Sequence, residues 1–366
     1  MFHNIDSLGI SFLIIIPTVF VITSLLCTKP ISNSVPSGID NCIEGLRGIA
    51  CIAVFINHAV WIMQNNNLNI SSINYNTLIF SGNMGSFGVE LFFCITGLLF
   101  SKRIKSGTFD ISFYKKRIKR LAPAYLVVSS AVLVIFLFQN INSLNFSNDI
   151  SRIITTIYGF GFFGSGITTS SVSTQSLNAI IWTLPYEWKF YAIIPFISSV
   201  LLNKKSILLL SAFGLIVAYI DINNDKVLWL YFISGFLCSY LKPLKCNMVR
   251  FFVFVLMLIV IYFCIFMKTS PYGFIKFIIV SLFFAMTILS RPKLLSFKSL
   301  SIIGTVSYSI YLIHQPVMNI TARIAAKILD ASLMSSTELI IINSIAAIFT
   351  FIFSAIMYKF VEKKFM

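Results

Sequence analysis

The sequence predicts an all-α polytopic membrane protein with about eleven transmembrane helices. Of its 366 residues, 57% are hydrophobic and only 11% are charged, whereas a soluble domain carries roughly 25% charged residues. The mean hydropathy is +0.90. Apolar runs close to the ~20 residues that a membrane-spanning helix needs recur along the whole chain. This composition argues against both a soluble globular protein and a disordered chain.

The apolar runs define the elements in chain order. A shorter segment at 150–167 is interrupted by glycine, and we expect it to be re-entrant or interfacial, which is tolerated at membrane depth only where protein buries it. Several of the other runs are short, so we expect tilt or burial among neighbouring helices. The eleven predicted spans, good to a few residues at each end, are 8–27, 47–63, 87–101, 121–138, 187–202, 206–220, 227–241, 251–267, 274–290, 302–322 and 339–358.

The distribution of Lys and Arg predicts the orientation. The segment 64–86 has no charged residue, whereas the next predicted loop, 102–120, has eight basic residues and one acidic residue. Cytoplasmic loops carry an excess of Lys and Arg. We therefore expect 102–120 inside, the N-terminus outside and the C-terminus in the cytoplasm.

The net charge of +16 is explained by this orientation. In a soluble protein such a charge would suggest nucleic-acid binding, but here most of it falls in predicted cytoplasmic segments. The seven cysteines are scattered and form no C-x-x-C pair, so neither a disulfide framework nor a zinc site is expected. We expect membrane lipids as partners, no nucleic acid and no metal.

Arg47 and His58 are the first candidate functional pair. Both belong to the second predicted span. Eleven helical residues place them about 16 Å apart along the axis and within about 20° of one face. Ionisable groups inside a membrane are costly and usually functional. The alternatives are interfacial snorkelling for Arg47 and a hydrogen-bonded interior histidine for His58.

Three further ionisable residues lie in predicted spans. Glu90 opens the third span, Glu187 stands at the predicted outer start of the fifth, and His314 lies within the tenth. An unpaired carboxylate is expensive in a low-dielectric region. Glu187 has a structural alternative as the partner of an Arg or Lys, and His314 has one as a packing residue.

Arg117 and Arg120 are three residues apart and share a face if that segment is helical. Arginine suits phosphate oxygens because it binds them bidentately. A phosphate clamp is therefore one interpretation, with Lys116 beside it. The other is that these charges serve only to orient the chain.

Five segments of the chain combine ionisable residues with glycines or aromatic residues. They are EGLRGIACIAVFINH (44–58), GVELFFCITGLLFSKRI (88–104), FYKKRIKRLAPAYL (113–126), IWTLPYEWKFYAIIP (181–195), and GTVSYSIYLIHQPV (304–317) with YKFVEKKF (358–365). In this order they resemble the motifs of the bacterial membrane acyltransferase family 3, which includes O-antigen and other surface-polysaccharide O-acetyltransferases. Departures from the family pattern are Glu90 for Asp, Thr96 for Ser, Lys189 for Gln and Lys364 for Pro. The resemblance implies an acyltransferase domain over 44–366, preceded by an additional span and linker at 1–43.

The resemblance implies an O-acyltransferase of the bacterial inner membrane. Such an enzyme moves an acetyl group from cytoplasmic acetyl-CoA, a co-substrate, to a hydroxyl of a glycan or lipid-linked saccharide. His58 would act as general base or carry the acetyl group as a nucleophile. The competing functions are a proton-coupled transporter of a sugar or lipid and a non-catalytic partner in polysaccharide export. The expected site residues are His58, Arg47, Glu187 and Glu90 for catalysis, Arg117, Arg120 and Lys116 for CoA, and His314, Trp182, Tyr186 and Tyr191 for a substrate pocket.

Overall fold

The structure of the protein is a computed structural model. It describes residues 7–27, 40–66, 73–109, 111–140, 146–164, 175–202, 207–223, 227–329 and 334–365. Within these ranges the chain is built of helices, and no strand occurs among them. The prediction of an all-α protein is therefore confirmed for the described part of the chain.

The helices follow the predicted apolar runs closely, although several begin earlier or end later. They are α1 (Ser7–Leu26), α2 (Asn41–Asn65), α3 (Tyr75–Ser106), α4 (Ile111–Asn140), α5 (Phe146–Tyr158), α6 (Gln175–Asn178) with a 3₁₀ turn (Ala179–Thr183), α7 (Leu184–Leu202), α8 (Ile207–Asn223), α9 (Leu228–Cys238), α10 (Asn247–Phe266), α11 (Phe274–Ser290) with a 3₁₀ turn (Lys293–Ser296), α12 (Lys298–Thr305), α13 (Ser307–Ile328), α14 (Ser336–Met357) with a π-helical turn (Tyr358–Glu362), and α15 (Lys363–Phe365).

The length and apolar character of these helices identify a multi-pass membrane protein. In the described part of the chain, six helices are long and apolar enough to cross a bilayer, and α9 and α11 are shorter apolar helices. Helix α10 exposes large apolar side chains such as Phe251, Phe252 and Leu256. Such a surface is suited to lipid rather than to water. The number of eleven spans and the orientation of the termini stay predictions.

The two segments used to predict the orientation are shorter loops than expected. Helix α3 already begins at Tyr75, because the Asn74 side chain accepts a hydrogen bond from the backbone N–H of Thr77 at 3.0 Å. It ends at Gly107, whose φ of +69° suits glycine. Most of 102–120 is therefore helical, and its basic residues lie on the last turn of α3 and the first turns of α4. Asp110 lies outside the described residues.

The predicted span 302–322 is divided at Val306 into α12 and α13. Glycines allow α12 and the turn before it to approach α2 very closely. A Cβ on Gly304 would lie 1.9 Å from the carbonyl oxygen of Glu44, and one on Gly45 would lie 1.7 Å from that of Leu295. Just before α2, Arg291 Nη1 donates to the Asp40 carboxylate at 2.5 Å, which raises the pKa of Arg291. These contacts fix the start of α2.

The segment predicted as re-entrant forms the short helix α5 and a glycine-containing turn that packs on α4. The carbonyl of Ile157 accepts hydrogen bonds from Tyr125 at 2.7 Å and from Ser129 at 3.1 Å. The ring of Phe160 stacks on Tyr125 with 3.9 Å between centroids. The last predicted residues, 165–167, lie outside the described part. One side of this segment, with Ile153 and Ile157, is buried against protein, whereas Ile154, Phe162 and Phe163 are exposed. Its depth in a membrane stays a prediction.

The additional helix α1 packs against α14 and α12 rather than standing apart. Its buried face has the four-residue spacing of a helical stripe, with Leu8, Phe12, Ile16 and Phe20 each at most 2% exposed. Phe20 makes an edge contact with Phe55 of α2 at 5.0 Å between ring centroids. This contact connects α1 to the helix that carries His58.

Candidate active site

Three arginines and the carboxylate of Glu187 lie together where the N-terminal halves of α2, α4 and α7 approach one another. Two adjoining cavities occur there, with volumes of about 80 Å³ and about 70 Å³. Both are lined by Arg47, Phe92, Glu187 and Tyr308. The first also includes Arg117, Arg120 and Tyr191, and the second includes Thr183, Ser307 and Tyr311.

Local contacts orient the charged groups around these cavities. Arg47 Nη1 forms an ion pair with Glu44 Oε1 at 3.1 Å, one turn earlier on α2. The Tyr191 hydroxyl donates to Glu187 Oε2 at 3.4 Å. Glu187 interacts electrostatically with Arg120, Arg47 and Arg117. The structure therefore unites Arg47, Arg117, Arg120, Glu187 and Tyr191, which the sequence predicted as separate candidates.

Arg117 and Lys116 differ in their surroundings. The guanidinium of Arg117 lies 5.1 Å from the centroid of the Phe100 ring, a cation–π geometry. Its Nε is buried and has no hydrogen-bond partner among the described residues. Lys116 is exposed and does not line either cavity. The Nε–H of Arg117 could therefore donate a hydrogen bond to a ligand in the first cavity.

Glu187 lies in the first turn of α7, within the helix bundle. Eleven residues later, Ser198 Oγ donates to the Ile104 carbonyl at 2.6 Å, close to the last turn of α3. That spacing places Glu187 about 16 Å from this end of the helix bundle. The 3₁₀ turn before α7 is buried among the helices, with Ile180, Ile181 and Thr183 each at most 6% exposed. The position of Glu187 at the outer start of its span stays a prediction.

Glu362 belongs to this cluster and was missed in the sequence. It is 1% exposed, accepts a hydrogen bond from the Ser309 hydroxyl, and interacts electrostatically with Arg120 and Arg47. The π-helical turn Tyr358–Glu362 sets its position. The sequence signal for Glu362 was its place in the closing Y-x₃-E segment. The neighbouring lysines indicated a cytoplasmic tail instead.

His58 lies beyond the two cavities, beside His314 and Gln315. The His58 and His314 ring centroids are 5.2 Å apart. Gln315 Oε1 accepts a hydrogen bond from the buried backbone N–H of Ile180 at 3.1 Å. Its amide nitrogen must therefore face His58, where Nε2 lies 3.2 Å from the ring Nδ1. A ring nitrogen that accepts a hydrogen bond carries a lone pair, so this contact favours a neutral imidazole.

Tyr311 separates His58 from the cavities. Its hydroxyl donates to the Ile180 carbonyl at 2.8 Å and lies 2.5 Å from Thr183 Oγ1. Its ring is 6.3 Å from that of His314. Tyr311 lines the second cavity, and its ring neighbours His314, which neighbours His58. His58 itself lines neither cavity, and the Tyr311–Thr183 pair closes the second cavity on that side.

Glu90 is not brought to this site. Its neighbours Val89, Phe92 and Phe93 line the second cavity, whereas Glu90 Oε1 accepts from the backbone N–H of Tyr272 at 3.2 Å, on the other side of α3. It interacts electrostatically with Lys276, which is fully buried and donates to Asn83 and Ser86 of α3. This geometry is that of a buried charge network between α3 and α11, and a catalytic role for Glu90 stays a prediction.

The remaining aromatic candidates form a row beside the second cavity. Trp182 contacts Tyr186 at 6.1 Å and Tyr272 at 5.4 Å between ring centroids. Neither Trp182 nor Tyr186 lines the two cavities. Tyr191 does line the first cavity, and His314 lies against His58.

These features define a polytopic membrane protein with arginines, carboxylates and paired histidines in its interior. The family model described as the acyltransferase domain matches residues 40–359. The chain therefore belongs to this acyltransferase family, which confirms the family that the sequence motifs predicted. The match begins at Asp40, just before α2, and leaves α1 outside.

Several curated proteins are similar to the chain. An O-acetyl transferase of Shigella phage Sf6 is 28% identical over 208 residues, covering 54% of this chain and 59% of that protein. O-acetyltransferase OatA of Staphylococcus aureus (strain NCTC 8325 / PS 47) is 24% identical over 327 residues, covering 75% of this chain and 50% of that protein.

A third relative is viral. The putative acetyltransferase ORF330 of Acidianus two-tailed virus is 26% identical over 298 residues, covering 75% of this chain and 82% of that protein. The chain spans only 50% to 59% of the length of the phage and staphylococcal relatives that it matches. No solved structure matches the chain.

Proposed function

We propose that the protein is an O-acetyltransferase of the bacterial inner membrane. It would transfer acetyl from cytoplasmic acetyl-CoA to a hydroxyl of a surface glycan or lipid-linked saccharide, as in O-antigen, capsule or exopolysaccharide. The single observation that carries the proposal is the arginine-lined cavity, which adjoins a second cavity whose lining residue Tyr311 neighbours the histidine pair His314 and His58. Family membership and the names of the relatives support it. In this proposal the chain has eleven spans, with the arginine cavity opening to the cytoplasm.

The arginine cluster suits the donor. CoA is polyanionic, and Arg117, Arg120 and Arg47 line one cavity. Arginine binds phosphate oxygens in a bidentate manner. The thioester arm would extend from this cavity past Tyr311 towards His58, which requires the Tyr311–Thr183 pair to separate.

His58 suits the transfer step as a neutral imidazole, whose single lone pair, on Nδ1, accepts from Gln315 Nε2. In this proposal Gln315 releases Nδ1 before the acceptor hydroxyl gives up its proton. The acceptor hydroxyl would lose its proton to a ring nitrogen while its oxygen forms a bond with the thioester carbonyl carbon. The carbon–sulfur bond then breaks, and the CoA sulfur takes the proton back from the imidazolium. General acid–base catalysis of this kind contributes about 10²–10⁴-fold. Direct attack of His58 on the thioester is the alternative, with an acetyl-imidazole intermediate.

The central experiment measures acetyl-CoA-dependent acetylation of purified acceptor by the full chain in detergent, where a transporter has no gradient to use. We expect His58→Ala and Arg47→Ala to abolish acetylation while protein level and membrane insertion stay normal. Full activity in His58→Ala would refute the proposed role of His58 in acetyl transfer.

The donor site has its own test with a matched charge control. We expect Arg117→Ala and Arg120→Ala mainly to raise the KM for acetyl-CoA. Lys102→Ala removes one exposed positive charge from the same end of the bundle and should leave that KM unchanged. If all three variants raise KM equally, or if the arginine variants invert a topology reporter, the charges act only in orientation.

A further inference from the structure

His314 is a buried imidazole that lies beside His58 and lines neither of the two cavities near the arginines. It belongs to α13, is 1% exposed, and its ring centroid is 5.2 Å from that of His58. Its other ring neighbours are Phe55 at 6.2 Å and Tyr311 at 6.3 Å between centroids. The polar atoms of a side chain buried in this way need hydrogen-bond partners.

The contacts of His314 define its tautomer. Nδ1 lies 3.0 Å from the carbonyl oxygen of Ile310, one turn earlier on α13. A carbonyl oxygen only accepts hydrogen bonds, so Nδ1 carries a proton. His314 forms no ion pair among the described residues, and an unpaired buried charge is expensive, so the ring is neutral. Nε2 therefore carries a lone pair.

This lone pair of His314 is unused within the described part of the chain. Nε2 is buried and has no hydrogen-bond partner there. A buried acceptor without a donor is costly, and such an atom in a native protein calls for an explanation. The aromatic ring nearest to His314 among the described residues is that of His58.

The tautomer of His58 is complementary to that of His314. Gln315 Nε2 donates to His58 Nδ1 at 3.2 Å, so the proton of the neutral ring is on Nε2. The 3.5 Å separation between Gln315 Nε2 and His58 Nε2 is then a contact of two donors. His58 thus has an N–H and His314 has a lone pair, on rings inclined at 45°. Catalytic hydrogen bonds are often long in the resting enzyme and shorten in the substrate complex.

We propose that His314 is the positioning residue that accepts the Nε2–H of His58 during acetyl transfer. This inference rests on the proposed transfer at His58. When Gln315 releases Nδ1 and the acceptor hydroxyl gives its proton to that atom, His58 becomes an imidazolium with an N–H on both nitrogens. Nε2 of His314 then accepts from the Nε2–H, which holds the ring in place and spreads its charge.

His314 neither gains nor loses a proton in this step. The acceptor oxygen forms its bond with the thioester carbonyl carbon, the carbon–sulfur bond breaks, and His58 Nδ1 passes its proton to the CoA sulfur. The Ile310 carbonyl holds the His314 ring through Nδ1–H throughout. The donors and acceptors thus follow one direction, from the acceptor hydroxyl through His58 and His314 to Ile310, and hydrogen bonds in such a chain strengthen one another.

The tautomers are tested by NMR of the full chain in detergent with ¹⁵N-labelled histidine. Each ring nitrogen reports whether it carries a proton, and the variants His58→Ala and His314→Phe assign the signals. We expect Nδ1–H for His314 and Nε2–H for His58. A proton on Nε2 of His314, or on Nδ1 of His58, overturns the inference. This readout does not depend on acetyl transfer.

Kinetics test the role of the pair. His314→Phe keeps a ring in place and removes both nitrogens. We expect kcat to fall by about 10–100-fold, at most the lower end of the about 10²–10⁴-fold that general acid–base catalysis contributes. The KM for acetyl-CoA should stay unchanged, because His314 lines neither cavity. His314→Gln keeps an acceptor oxygen and should recover most of the loss. Met318→Leu, one turn later on α13 and also buried, is the matched control and should keep the wild-type kcat.

The outcomes separate this inference from the proposed function. Wild-type kcat in His314→Phe, an equal loss in Met318→Leu, or no recovery in His314→Gln overturns the role of His314 even when His58→Ala is inactive. Acetyl transfer that survives in His58→Ala refutes the proposed function, while the NMR measurement still decides whether the two tautomers are complementary. Thermal unfolding shows whether each variant is folded, and the tautomers alone decide where His314→Phe is not.

Discussion

Gln315 provides the sharpest test of how the site is built, because one side chain serves two buried partners. Its Oε1 accepts from the Ile180 N–H at 3.1 Å, and its Nε2 faces His58 Nδ1 at 3.2 Å. Both Gln315 and Ile180 are at most 3% exposed. The perturbation is Gln315→Leu, which keeps a side chain of similar size and removes both polar contacts.

The expected magnitude follows from the two contacts. Leaving the buried Ile180 N–H without an acceptor costs about 1–3 kcal/mol, and loss of the hydrogen bond to His58 removes about 0.5–1.5 kcal/mol. The free energy of unfolding should therefore fall by roughly 1.5–4.5 kcal/mol. Without its donor, His58 is free to turn, and misplacement of about 1 Å costs up to about 100-fold in rate. We expect kcat to fall tenfold or more.

Asn343→Leu is the matched control on the neighbouring helix α14. Asn343 is also a fully buried amide, but it donates only to the Leu339 carbonyl of its own helix at 2.9 Å. Its Oδ1 has no partner among the described residues. Thermal unfolding and acetyl-transfer kinetics of both purified variants are the assay. If Gln315→Leu matches Asn343→Leu in Tm and kcat, the proposed role of Gln315 is wrong.

Three other variants test neighbouring parts of the structure. Phe20→Ala removes a buried aromatic ring from α1 and should lower the free energy of unfolding by about 3–5 kcal/mol. We also expect a lower kcat, because the packing behind His58 loosens. Thermal unfolding measures the first effect, and acetyl-transfer kinetics measure the second. Lys276→Met should destabilise the protein by about 3–5 kcal/mol, as expected when one partner of a buried charge network is removed, and adding Glu90→Gln should recover part of this loss in thermal unfolding. Glu187→Gln should lower acetyl transfer at least tenfold without changing the topology reporter, because it removes a carboxylate that faces three arginines.

Each of these predictions has an outcome that contradicts it. Ile14→Ala alters an exposed position of α1, and an equal effect on stability would show that the buried stripe is unimportant. Strict additivity of Lys276→Met and Glu90→Gln would exclude coupling between them. Wild-type acetylation by Glu187→Gln would assign that residue to the structure of the bundle alone.

Much of the fold was predictable because it depends on local properties of the chain. Apolar runs located the helices, and composition alone indicated a membrane protein. The errors occurred where a local signal extended or interrupted a helix. Asn74 caps α3 earlier than the hydropathy indicates, and the chain breaks at Val306, where Gly304 packs against the backbone of α2. Capping and backbone packing are not visible in hydropathy.

The sequence by itself determined the pairs that share one helix. Arg47 and His58 face the interior from α2, and Arg117 and Arg120 line one cavity from α4, because helical periodicity relates residues over a few turns. Only the tertiary structure decided which faces meet. It placed Glu187 and Glu362 with the arginines, Gln315 against His58, and Glu90 on the far side of α3 with Lys276. The physical reason is that helix–helix contacts depend on how side chains and glycines of distant segments fit together, which no spacing within a single segment encodes.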